Sequence, residues 1–267
     1  MIGFPNAKIN IGLNVVEKRS DGFHNLESVF YPVNIFDSLE IIEAKEMSFH
    51  SYGLNIPGSG SDNLCVKAFE LMKHHFGIPN LEIHLLKNIP FGAGLGGGSA
   101  DAAWMLKMIN EKFELNLSIS DLEIFAAQLG SDCPFFIKNS AQYASGRGEI
   151  LTPFDLDLGK YSFALIKPNF GISTKEAFSG LSPKLSNQDL VEVLKSPVES
   201  WRGVVKNDFE LSLFPKFPVL EKIKNDLYHF GAKYASMSGS GSTMFGIFEP
   251  ELKGSISEYP DAQIFWV

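Results

Sequence analysis

The segment PFGAGLGGGSADAAWML, Pro90 to Leu106, places five glycines among its first nine residues and then runs into strong helix formers. Glycine loses more backbone entropy on folding than any other residue, so such a cluster serves a tight turn or brings backbone N–H groups close to a ligand. Before it, LEIHLLKNI (Leu81 to Ile89) has the apolar content of a strand. After it, from Ala100, Ala103, Leu106, Ile109 and Phe113 recur at helical spacing. A strand, a glycine loop and a helix N-terminus in that order make an anion site, because the loop and first-turn N–H groups lack partners and the helix dipole favours negative charge.

Three readings compete for this loop. Gly92-x-Gly94-x-x-Gly97 matches the dinucleotide fingerprint of an oxidoreductase, but NEKFELNLSISDL stands where the next strand and its acidic residue belong. A Walker loop requires Lys and then Ser or Thr after its last glycine, and here Ser99 and Ala100 follow Gly98. A strand-to-helix turn without a ligand is the plain alternative.

The elements around the loop read as a mixture of strands and helices. From Ala7 to Val15 apolar residues alternate with Lys8, Asn10, Gly12 and Asn14, the pattern of a half-buried strand with Lys8 and Asn10 on its polar face. RSDGFHNL (Arg19 to Leu26) is a turn, and a helix is expected over Leu64 to Phe76. Ser120 and Glu123 form a capping box for another helix that stops at Gly130. YSFALIKP restarts the pattern as a buried strand, which puts a boundary near residue 150. Helices near Gln188 to Lys195 and Val219 to Phe230 precede a final strand, Gly/Ser turn and strand.

Bulk properties narrow the class. The formal net charge of −8, with scattered lysines and arginines, argues against nucleic acid as a partner. Cys65 and Cys133 have neither a C-x-x-C nor a metal spacing and read as buried free thiols. No signal peptide or membrane span is apparent, so a cytoplasmic protein without a membrane partner is expected.

The loop string, from Pro90 through Gly94-Leu95 to Ala100-x-x-Ala103, resembles the phosphate loop of the GHMP kinases. AKINIGLNVVEKRSDGFHNLESVF, GSDCPFF and MSGSGSTMFGIF resemble further motifs of that family in the same order, from Ala7 to Phe248. The resemblance implies an α+β fold: a ribosomal S5 domain 2-like N-terminal half, 1–150, that binds ATP, and a ferredoxin-like C-terminal half, 151–267, that binds substrate. It implies an ATP- and Mg²⁺-dependent kinase, monomeric or homodimeric, in which Ser99 at the helix start would either cap the helix or bind Mg²⁺. Pro90, Phe91, Gly92, Ala93, Gly94, Leu95, Gly96, Gly97, Gly98, Ser99 and Ala100 would wrap the ATP phosphates, with Asn63 and Lys87 toward adenosine. Asp132 would take the proton of the attacking hydroxyl and Lys8 would offset the charge; alone, Asp132 reads as a helix cap and Lys8 as a surface lysine.

The acceptor implied is a small cytidine diphosphate. Its cytosine would stack between Phe23 and Phe178 while His24 reads the polar edge and Asn10 contacts the polyol or diphosphate. Core packing is the competing role for these rings, since the chain has 23 phenylalanines. Homoserine or mevalonate, the acceptors of other GHMP kinases, have no base to stack. Gly239 and Gly241 would pack near the phosphate loop, or form a plain hairpin turn.

Overall fold

A computed structural model of the chain describes residues 1–56, 60–181, 183, 189–254, 256 and 259–267, with all their side chains except that of residue 61. In chain order the elements are β1 (Ile2–Gly3), β2 (Asn6–Lys18), β3 (His24–Phe36), β4 (Ser38–Glu43), β5 (Ser48–Gly53), α1 (Leu64–Phe76), β6 (Leu81–Lys87), α2 (Gly97–Lys112), α3 (Ile119–Leu129) and α4 (Cys133–Lys138). They continue with β7 (Gln142–Ser145), β8 (Ile150–Pro153), β9 (Ser162–Pro168), α5 (Thr174–Phe178), α6 (Leu190–Leu194), α7 (Phe209–Leu213), α8 (Pro218–His229), β10 (Tyr234–Met237), β11 (Met244–Phe248) and β12 (Ala262–Trp266). Among the described residues three four-stranded sheets form, in the orders β1-β4-β6-β5, β2-β3-β7-β8 and β10-β11-β9-β12. Contacts divide the chain into two units: Met1–Lys8, Pro32–Phe91 and Gly96–Ser140 in one, Ile9–Tyr31, Gly92–Leu95 and Ala141–Val267 in the other.

In the first unit, β6 turns Leu81, Ile83 and Leu85 inward, as the period of a strand requires. Helix α1 packs on α2, burying Val66, Phe69 and Met72 on one and Leu106 and Ile109 on the other. Each such large side chain contributes about 1.5–3 kcal/mol on burial. Helix α1 starts where Asn63 accepts the Cys65 N–H at 2.8 Å and ends at Gly77, whose φ of 64° is left-handed. The capping box of α3 lies two residues earlier than expected: Ser118, not Ser120, is the cap, paired with Asp121 rather than Glu123. Both spacings satisfy the motif, and the earlier one lets Leu122 and Ala126 face inward.

In the second unit, every residue of β9 is buried. Helix α8 opens with Pro218, whose missing N–H costs nothing in a first turn, and packs Leu220, Ile223 and Leu227 into a core with Ile166, Met237, Met244 and Phe248. Helix α6 begins at Leu190, with Asp189 accepting the Val191 N–H at 2.9 Å; Gln188, the expected start, lies outside the described residues.

Strand β2 departs from the half-buried pattern. All residues from Asn6 to Leu13 are buried, so the polar set Asn6, Lys8 and Asn10 is interior rather than solvated. Alternation in sequence reports two faces, but not whether the second is covered.

Candidate active site

Lys8 is buried on β2, and its Nζ lies 3.4 Å from Asp132 Oδ2. Asp132 occupies the N-cap position of α4, yet its side chain makes no capping hydrogen bond, and it is 35% exposed against 4% for Lys8. The simple helix-cap role is thereby set aside. The opposite end of α4 is fastened to the same strand: Asn6 Nδ2 donates to Asn139 Oδ1 at 3.0 Å and Asn139 Nδ2 donates back to Asn6 Oδ1 at 2.8 Å. Asn139 holds the left-handed C-cap of α4, with φ 54°. A six-residue helix pinned at both ends to β2 keeps the Asp132 carboxylate at a set distance from a buried ammonium. A partly exposed carboxylate beside a cation can take a proton from a bound hydroxyl while the cation offsets the developing charge.

The glycine loop leads into α2 at Gly96, a left-handed N-cap with φ 70° and no side chain to cap the helix. The first turn of this 16-residue helix is thus not capped by a side chain at its N-cap, which suits an anion site. A Cβ at Gly96 would meet the Phe136 ring at 2.9 Å and Lys8 Cε at 3.2 Å. Only glycine lets this helix start lie against the Lys8 side chain. Ser99 is the third helical residue and does not cap; its side chain hydrogen-bonds Cys133, whose thiol burial pushes up to about 12.

Gly94, in the second unit, is packed more tightly still: a Cβ would lie 2.0 Å from the Ser238 carbonyl oxygen. Ser238 Oγ donates to the Gly94 carbonyl at 2.8 Å, and a Cβ on Gly239 would meet Gly94 Cα at 3.4 Å. The SGSGS segment thus packs on the glycine loop at Gly94 and is more than a hairpin turn. At Gly92 a Cβ would meet nothing within 4 Å.

Asn10 is buried, donates from Nδ2 to Ser28 Oγ at 3.0 Å, and lies beside Gly239 through its Oδ1. Phe23 is 55% exposed, and the Arg147 guanidinium stands 5.0 Å over its ring. The ring stacked on Phe178 is that of His24, with centroids 4.7 Å apart, while Phe209 meets Phe178 edge-on at 4.8 Å. Burial, with Lys18 nearby, holds the His24 imidazole below its ordinary range, so it is neutral near pH 7. Asn63 is engaged as the α1 cap through its side-chain oxygen. Lys87 is buried between Asp37 and Asp101, donating to both. Sequence reasoning missed Asn6, Asn139, Asp37, Asp101 and Arg147, which are ordinary polar residues until the fold gives them partners.

The dinucleotide reading fails on topology. Helix α2 leads into α3 and α4, not into a strand parallel to β6, so no βαβ crossover follows the loop. Among the described residues no helix is long and apolar enough to cross a membrane, and no cluster of three His, Cys, Asp or Glu could hold a metal.

Comparison with known proteins defines the class: the GHMP kinases N terminal domain matches residues 63–140 and the GHMP kinases C terminal domain matches residues 181–259. A 4-diphosphocytidyl-2-C-methyl-D-erythritol kinase of Bacteroides thetaiotaomicron is 53% identical over 94% of this chain and 93% of its own length. Its counterpart in Bacteroides fragilis is 51% identical over 99% and 98%. A crystal structure of 4-(cytidine 5'-diphospho)-2C-methyl-D-erythritol kinase superposes with a TM-score of 0.85 at 30% identity, covering 100% of this chain and 98% of the other. The chain belongs to the 4-diphosphocytidyl-2-C-methyl-D-erythritol kinase family of GHMP kinases.

Proposed function

We propose that the protein transfers the γ-phosphoryl group of ATP to the 2-hydroxyl of 4-diphosphocytidyl-2-C-methyl-D-erythritol, a step of the non-mevalonate route to isoprenoid precursors. The observation that carries the chemistry is the pair of Lys8 and Asp132 at 3.4 Å, one buried and one partly open to solvent. Asp132 accepts the proton of the attacking hydroxyl, and Lys8 holds the alkoxide character that develops there. Phosphoryl transfer needs mainly positioning and charge compensation, which the uncapped N–H groups of α2 and the loop Pro90–Ala100 supply to the ATP phosphates.

Mg²⁺ asks little of the protein, since it keeps several waters and binds largely through phosphate oxygens. The Ser99 hydroxyl is an oxygen donor of the right hardness and would hold it. Bound with ATP, the ion supplies charge compensation at the transferred group.

For the acceptor, Phe23 offers an exposed ring face and His24 a neutral imidazole whose nitrogens can read the cytosine edge. Phe178 backs His24 by stacking, and Asn10 contacts the polar stem of the substrate. Incubation with ATP, Mg²⁺ and 4-diphosphocytidyl-2-C-methyl-D-erythritol, followed by phosphorus NMR, tests the proposal. A new phosphomonoester signal with matching ADP is expected. Transfer to homoserine or mevalonate with none to the cytidyl substrate overturns it.

A further inference from the structure

Three charged side chains outside the Lys8–Asp132 pair are buried together in the first unit. Asp37, in the link between β3 and β4, is fully buried, and its Oδ1 accepts the Asn88 N–H at 2.6 Å and the Ile89 N–H at 2.8 Å. Its Oδ2 accepts from the Lys87 ammonium, which also donates to Asp101 Oδ2 at 2.7 Å. Lys87 ends β6, and Asp101 lies one turn into α2. Residues 87–89 enter the glycine loop and residues 97–101 leave it, so the cluster ties the two ends of the loop together. The tie is close: a Cβ on Gly97 would lie 2.8 Å from Ile89 Cγ2 and 3.3 Å from Lys87 Nζ.

We propose that Asp37, Lys87 and Asp101 are positioning residues that hold the two ends of the phosphate loop in the geometry that receives the nucleotide. This rests on the ATP-binding part of the proposed function and gives Lys87 a role through the loop rather than through contact with adenosine. Stability alone is a poor reason for such a cluster, because a buried ion network is commonly matched or bettered by apolar residues of similar volume. Geometry is a better one. Asp37 has one oxygen on two successive backbone N–H groups and the other on a lysine that reaches across to the helix, so the three directions of approach are set together.

The test measures the Kd of ATP without acceptor, kcat and KM for ATP with acceptor, and a melting curve, on the full chain. Asp101→Ala leaves the Asp37 contacts to Lys87, Asn88 and Ile89 in place; Asp101→Asn keeps an acceptor for Lys87. The double variant Lys87→Met, Asp101→Leu replaces the cross-link with apolar bulk. Asp101→Ala and the double variant are expected to raise the Kd and KM for ATP about tenfold, as when a ligand must order its own site, with kcat at saturation within about threefold. Asp101→Asn is expected to stay within about threefold of wild type in all three, since the geometry is retained. An unchanged ATP Kd in a folded Asp101→Ala or double variant overturns the proposal. So does a loss in Asp101→Asn as large as in Asp101→Ala, or a loss that only tracks the melting temperature. A wild-type chain that binds ATP but does not turn over the cytidyl substrate refutes the proposed acceptor and leaves this measurement intact.

Discussion

Gly92 and Gly94 provide a paired experiment on the glycine loop. Both have left-handed φ, 61° and 75°, so alanine at either incurs the same backbone strain, about 1–2 kcal/mol. They differ in what a methyl group would meet. At Gly92 nothing lies within 4 Å; at Gly94 the Ser238 carbonyl oxygen is 2.0 Å away and the Gly241 oxygen 3.2 Å. A backbone oxygen cannot rotate aside, so Gly94→Ala must push the SGSGS segment off the loop by more than an ångström. Two hydrogen bonds cross this contact, Ser238 Oγ to the Gly94 carbonyl at 2.8 Å and the Thr243 N–H to the Ala93 carbonyl at 3.3 Å. Their loss adds about 1 kcal/mol each, for about 3–4 kcal/mol in all. At roughly 2–4 °C per kcal/mol for a chain of this size, the melting midpoint of Gly94→Ala should fall by about 10 °C and that of Gly92→Ala by about 4 °C. Thermal melts of the two variants and wild type, side by side, decide the matter. Equal drops would refute the inference that packing against SGSGS, rather than backbone freedom alone, demands glycine at 94.

Asp132→Asn should lower kcat by about 10² or more, the scale of a general base; near-normal turnover would remove it from the chemistry. Phe178→Ala should cost about 3 kcal/mol in a denaturant titration, since the ring packs on His24 and Phe209, and raise KM for the cytidyl substrate about tenfold against a small change for ATP. Equal KM changes for both substrates would leave the ring a packing role only. His24 is held below its ordinary range, so on acidification through that range the unfolded chain takes a proton the folded one refuses, and stability falls. His24→Phe, which keeps a ring on Phe178, should flatten that slope between pH 7 and about 5.5. Asp101 acts in the opposite direction: its folded-state carboxyl, raised to about 8, keeps a proton that the unfolded chain loses near pH 4, so stability falls as pH rises between those values. In Asp101→Asn that fall should disappear from stability curves taken across the window.

Much was legible in the chain alone because it is a matter of local spacing. The glycine string before a helical repeat announced the turn into α2, and α1 begins and ends at Leu64 and Phe76, where its cap and apolar spacing put it. The strand alternation located β2 and, with the family's motifs, pointed to Lys8 and Asp132, which the fold brings to 3.4 Å. The order of four motifs carried the family, since each is a short covalent pattern that survives without knowledge of the fold.

What the tertiary structure decided is which polar residues have partners. Asn6 and Asn139 are 133 residues apart, and nothing in either neighbourhood predicts the other. Asp37 and Lys87 are separated by 50 residues and Lys87 and Asp101 by 14, yet the three form one buried cluster at the base of the loop. His24 and Phe178 were both visible as aromatic candidates, but only the fold stacks one on the other. Asp132 could have capped α4; a buried ammonium from a distant strand makes it an ion-pair partner instead. The physical reason is common to all of these. Periodicity and capping are set by bonds within a few residues, whereas the free energy of a buried polar group depends on whatever distant atom meets it when water is excluded.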